Sequence, residues 1–166
     1  MAQQALSPVP AADAPETGMT GKQAVAAGLT AVLSDTVVLM HKTLGYHWNV
    51  VGPLFHPLHE LTEKQYEELF EAADDLAERV RALGELAPFS VADMIAKAQL
   101  GEETGPRDAQ GMLEQLIADN EAAVRRQREV AKLAAEHEDG ASEDLMNARM
   151  AAHEEAVWML RAVAAD

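Results

Sequence analysis

The sequence predicts an all-α fold: four long helices with one long crossover between the second and the third. Apolar residues recur at three- and four-residue intervals in four separate stretches, each long enough for several helical turns. Ala, Leu and Glu dominate, aromatics make up only 4 %, and alternating strand-like runs are absent. The middle connection, about 85 to 107, is much longer than the other two. At 166 residues and 48 % hydrophobic content, the chain has enough material for one ordinary core.

Residues 1 to 20 hold Pro8, Pro10 and Pro15, many alanines and no base before Lys22, which reads as a flexible tail ahead of a helical domain over 21–166. Thr20 reads as the cap of the first long helix, with Gln23 as its capping-box partner. Val25, Leu29, Val32, Leu33, Val37, Met40 and Leu44 carry this helix to about Asn49, and Gly52-Pro53 stops it. The second helix starts near Pro57, follows Tyr66, Leu69, Ala73, Leu76, Val80 and Leu83, and ends at Gly84. Val91, Ile95 and Ala98 predict a short helix inside the crossover. The third long helix spans about Asp108 to Glu136, Asp139-Gly140 breaks the chain, and a fourth runs from there to the C-terminus through Leu145, Met146, Val157, Trp158, Leu160 and Val163. Four long helices joined this way make a ferritin-like four-helix bundle, as opposed to a simple up-down one.

Composition excludes several kinds of chemistry. The chain has no cysteine, so there is no disulfide framework, thiolate zinc site or thiol catalysis, and any metal must be held by nitrogen and oxygen. With 13 basic and 28 acidic residues, net −15, the surface favours cations and disfavours nucleic acid. No apolar stretch reads as approaching the roughly 20 residues of a membrane span. The N-terminus lacks the basic start and apolar core of a signal peptide, so a cytoplasmic protein is expected.

His47, His59, Glu63, Asp74 and Glu78 are donors with metal-ligand chemistry. His59 and Glu63 are four residues apart, as are Asp74 and Glu78, so on a helix each pair shares a face. From Glu63 to Asp74 a helix turns by about 1100° and rises about 16 Å, leaving the two within roughly 20° of one another. Two clusters so placed cannot close on one ion; if they form one site, two chains must meet to build it. No histidine has a Glu three residues before it, so the paired Glu-x-x-His arrangement of an intrachain di-iron centre is missing. Spacing alone leaves a solvated acidic face as the commoner outcome, since Glu67, Glu71 and Arg81 share the same sector.

The run from His47 to Phe55, the run from Phe55 to Glu60, and Asp74-Asp75-Leu76-Ala77-Glu78-Arg79 together resemble the signature of the Dps family, the DNA-protection-during-starvation mini-ferritins. The dense match covers residues 46 to 84, and His153-Glu154-Glu155 and Trp158-Met159-Leu160-Arg161 resemble the family's C-terminal pattern. The resemblance implies a spherical dodecamer of four-helix subunits with dinuclear ferroxidase sites at its twofold dimer interfaces. It implies that His47, His59 and Glu63 come from one subunit and Asp74 and Glu78 from its partner. Glu63 departs by one methylene from the Asp that the family often has. The implied reaction oxidises Fe(II), preferably with hydrogen peroxide and otherwise with oxygen, and stores ferric mineral inside the shell; zinc is an alternative occupant of the same site. Trp48 would stand beside the site as a sink for oxidising equivalents. Asp144, and after it Asp139, fall where the family tends to line its iron-entry pores; the alternative for each is a solvated helix-end carboxylate or cap. His56 and His153 are candidate extra ligands, His41 reads as structural or exposed, and His137 as solvated.

The rival reading is a DNA-compacting or structural shell with a vestigial metal site. Residues 1 to 21 contain Asp13 and Glu16 and no base, and the chain ends Ala164-Ala165-Asp166, so direct DNA binding is not expected.

Overall fold

The computed structural model describes residues 13–165, and among these the chain forms five helices and no strand. They are α1 (Lys22–Asn49), α2 (Phe55–Ala82), α3 (Val91–Lys97), α4 (Ala109–Glu136) and α5 (Gly140–Ala164). α1 pairs with α2 and α4 with α5, while α1 also lies against α4, α2 against α5, and α3 packs on α1. This is the ferritin-like bundle with a short helix in its crossover. The expected tail falls largely on residues 1–12, which lie outside the described residues.

α1 is covered by three neighbours, and it is apolar nearly all round, as a central helix must be. Its richest 18-residue window has a mean hydropathy of 1.6, so α1 is long and apolar enough to cross a membrane, contrary to the expectation from sequence. Over half of that window is buried inside the bundle, and the polar residues Ser34, Asp35, Thr36, Lys42 and Thr43 are buried with it. The hydroxyls of Ser34, Thr36 and Thr43 donate to carbonyls one turn back at 2.8–2.9 Å, which satisfies them without any partner helix.

Two apolar clusters fill the ends of the bundle. One gathers Leu29, Leu33, Leu76, Val80, Ala134 and Met146; the other gathers Leu39, Leu58, Leu113, Leu116 and Leu160. Between them lies a buried polar belt. Asp35 accepts from the Gln99 and Leu100 amides at 2.6 and 3.0 Å and from Arg126 at 2.7 Å, tying the crossover to α1 and α4. Lys42 donates to Asp119 at 2.6 Å, and Asp119 also accepts from Gln115 at 3.0 Å. Further along the crossover, Tyr46 and Arg107 both donate to Glu103. These bonds hold the Glu103 carboxyl down to about 2, while burial and Glu103 push the Tyr46 phenol well above its ordinary value.

Three helix starts follow the local capping rule, whereas those of α1 and α2 carry no side-chain cap. Ser90, Asp108 and Asp139 cap α3, α4 and α5, each accepting from the amide three residues on at 2.8–3.1 Å. α2 starts two residues before Pro57 and closes with Gly84 at φ +91°, its amide and that of Glu85 donating back to Arg81 and Val80. The capping box expected at Thr20 is not formed. The cap is Gly21 at φ +62°, with no side-chain bond. A Cβ there would stand 2.2 Å from the His137 ring, so tight packing between distant segments sets this end. His137, expected to be solvated, is half-buried against it.

Asp35→Ala would leave Arg126 without its buried partner and two amides without an acceptor. We expect a loss of about 3–5 kcal/mol in urea unfolding. Removing the exposed Glu154, 3.8 Å from Arg128, is expected to cost less than about 1 kcal/mol.

Candidate metal centre

His47 lies in the last turn of α1 and His59 in the first turns of α2, and the short connection at 50–54 brings them together. The His47 Nδ1 is 2.9 Å from the His59 carbonyl oxygen, and the His59 Nδ1 is 2.9 Å from the His47 carbonyl oxygen. A carbonyl only accepts, so each Nδ1 carries the proton and each Nε2 holds a free lone pair. That is the tautomer a metal-binding imidazole needs, fixed by a backbone partner in the usual way. The two rings stack with centroids 3.8 Å apart and planes 16° apart. Neither Nε2 has a hydrogen-bond partner among the described residues.

Aromatic rings steady the pair. Phe55 stacks on His59 at 5.0 Å, and Tyr66 stands edge-on to His47 at 5.3 Å. The Tyr66 phenol is pushed up by partial burial and then by the Glu63 and Glu67 carboxylates, which places both charges near it. His47 is buried, His59 half-buried, and Glu63 exposed.

Asp74 and Glu78 are exposed on the same helix, closer to its C-terminal end. Among the described residues no three His, Asp or Glu side chains converge on one point. The structure therefore brings His47 and His59 together and leaves Asp74 and Glu78 apart from them. Phe70 sits between the two groups on α2, within roughly 40° of both Glu63 and Asp74 at 100° per residue, and it is 67 % exposed. Trp48, Val51 and Phe55 are exposed at the histidine end. So much apolar surface beside free donors marks an interaction face.

The remaining candidates divide sharply. His41 and His56 are exposed, and His56 lies 3.6 Å from Glu60. His153 is not an extra ligand at this face. It is buried in the polar belt, with Nδ1 2.7 Å from the Asn120 Oδ1 and Nε2 3.5 Å from Arg149, whose guanidinium is paired with Glu68. Burial, and then the Arg149 charge, push its pKa down to about 3. Asp139 is not a pore carboxylate either: it is buried, caps α5, and pairs with Arg79 at 2.6 Å. Asp144 is exposed near the start of α5.

A family model for the ferritin-like domain matches residues 26–166. The DNA protection during starvation protein of Brevibacillus brevis is 36 % identical over 141 residues, covering 85 % of this chain and 95 % of that protein. The chain belongs to the Dps family. The crystal structure of Dps from Vibrio cholerae O1, described as a member of a broad superfamily of ferritin-like diiron-carboxylate proteins, is similar with a TM-score of 0.84 and 31 % identity, over 94 % of this chain and 98 % of that one. An uncharacterised low temperature-induced protein of Nostoc is 40 % identical over 142 residues, 84 % of this chain and 79 % of that protein.

One residue of this Dps chain escaped sequence reasoning. Arg79 follows Glu78, and its guanidinium reaches Ser142 at 2.9 Å as well as Asp139. It bolts the acidic end of α2 to the start of α5. Only its place beside Glu78 could have drawn attention to it.

His153 gives a pH test. Its folded pKa lies below the ordinary 6.5, so the neutral ring's contribution is complete above pH 6.5 and is lost as pH falls towards 3. Between those limits we expect a slope of up to about 1.4 kcal/mol per pH unit in urea unfolding. His153→Gln should flatten it, while an unchanged slope would contradict this origin.

Proposed function

We propose that this protein is a ferroxidase and iron-storage mini-ferritin whose metal centre is shared between two copies. The observation that carries the reading is the reciprocal His47–His59 pair with both Nε2 lone pairs free, on the face that ends in Asp74 and Glu78. Two α2 helices set antiparallel across a twofold axis near Phe70 would bring one copy's His47, His59 and Glu63 beside the other's Asp74 and Glu78. The offset of about 16 Å along α2 is then cancelled by symmetry. Phe70 would meet its own counterpart at the axis and lose its exposure to water.

Two imidazoles and three carboxylates suit two Fe(II) ions as substrate. Peroxide takes one electron from each Fe(II), its O–O bond breaks and the two oxygens leave as hydroxide; the two Fe(III) then hydrolyse with water to ferric oxyhydroxide, releasing six protons, of which two neutralise the hydroxides. The free lone pairs of His47 and His59 hold the metal in place, and the carboxylates offset its charge. Hydrogen peroxide is the preferred oxidant in this reading and oxygen the slower one. Zinc would occupy the same donors without redox change.

The assembled protein is a cytoplasmic homododecamer with mineral inside, and the chain's net charge of −15 draws Fe(II) towards it. The same charge opposes direct DNA binding. Consuming Fe(II) and peroxide together protects against oxidative damage without contact with DNA.

In stopped-flow mixing of Fe(II) with peroxide, Asp74→Ala combined with Glu78→Ala is expected to lower the fast-phase rate at least 100-fold. Both side chains are exposed, so the variant should keep its fold. A wild-type fast phase in the double variant would refute the site.

A further inference from the structure

We propose that the cavity between α1, the crossover and the start of α4 is a binding site for a small amphipathic carboxylate, an apolar chain ending in one carboxylate group. None of the five proposed metal ligands lines it, so the site is separate from the shared centre.

The cavity has a volume of about 660 Å³, in the range of small-molecule pockets. Val37, Val38, Met40, Ile95 and Met112 give it an apolar wall. Val38 and Met112 also belong to the buried core, so that part of the wall is fixed by the bundle. The methionines are pliable enough to follow a flexible chain. Gly45 lines the cavity from within α1, where a glycine weakens a helix. A Cβ at this position would meet nothing within 4 Å. Packing inside the subunit does not require that glycine, and its missing side chain keeps the space open.

Unused donors select the head group. Lys42 lines the cavity and is only 5 % exposed. Among the described residues its ammonium donates to Asp119 alone, at 2.6 Å, which leaves two of its three N–H groups without a protein acceptor. A buried donor in that state costs free energy until an acceptor reaches it. Arg107 lines the same cavity, and its Nε donates to Glu103. Its two terminal nitrogens have no partner among the described residues, which is the fork that grips a carboxylate. The Glu103 carboxylate already accepts from Tyr46 and Arg107, and Glu102 is exposed, so water meets its charge. An anionic acceptor on an apolar body matches both the wall and the donors, whereas an amine would meet two cations.

Isothermal titration of the full-length, metal-free protein with decanoate, decanol and decyltrimethylammonium tests the site. Decanoate is expected to bind, decanol about 10-fold more weakly and the cation not measurably. Gly45→Leu fills the cavity and favours the helix, so it should abolish decanoate binding without lowering the melting temperature. Arg107→Gln should weaken decanoate about 10-fold and leave decanol unchanged, a split that a loosened crossover would not produce. Equal affinity for decanoate and decanol in wild type would overturn the head-group assignment. Undiminished decanoate binding by Gly45→Leu would overturn the cavity as the site. No decanoate uptake by wild type, as when a second copy closes the cavity, would overturn the proposal altogether.

Discussion

His47 and His59 stack at 3.8 Å and each donates its Nδ1–H to the other's backbone carbonyl, and this reciprocal clasp constrains the rest of the site. It fixes the turn from α1 into α2, sets the tautomer of both rings, and occupies the Nδ1 of each, leaving Nε2 free. What is left is a pair of lone pairs at one end of an exposed helical face. The carboxylates that would complete the site lie farther along the same helix, too far to be reached. In the proposed reading the subunit carries two unlike halves of a centre, and a twofold axis between them would make two whole ones.

The bundle interior accounts for why the proposed centre lies on a face. Ferritin-like folds offer a central volume between four helices, but here a buried polar belt of fixed charges fills it. Lys42 with Asp119, Arg126 with Asp35, and Arg149 with Glu68 place three cationic side chains there, each already paired. His153 is kept neutral beside Arg149 and Asn120. A metal ion entering that volume would meet cations and satisfied carboxylates. The same belt locks register: Asp35 reads the crossover amides and Arg126 together, so α1, α4 and the crossover settle in one arrangement. That leaves the outer face of α2 for the proposed centre.

Much of this was legible in the sequence because it depends on local rules. Helical periodicity, with Gly84 and Asp139-Gly140 as stops, gives α1 to α5 within a few residues. The spacing of His59, Glu63, Asp74 and Glu78 gives one face and its offset. What could not be read depends on partners far away in the chain. Gly21 replaces Thr20 as the cap because His137 packs over it from 116 positions away. Asp139 is legible as a helix cap, but not its burial or its pairing with Arg79, 60 residues earlier. His153 resembled a ligand beside Trp158, yet one turns into the core and the other to solvent. The apolar window of α1 was broken up by polar residues that local hydrogen bonds turned out to satisfy. The reciprocal histidine clasp also lay beyond sequence, since it requires the exact course of the connection at 50–54.

Complementation between two inactive variants tests the shared centre most directly. Glu63→Lys spoils the histidine half and spares Asp74 and Glu78; Asp74→Ala with Glu78→Ala does the reverse. When the two chains are unfolded together and refolded at equal ratio, a mixed pair regains one whole centre and loses the other. With random pairing, about a quarter of the wild-type fast phase of Fe(II) oxidation should return. A mixture no more active than the separate variants would contradict a centre built from two chains.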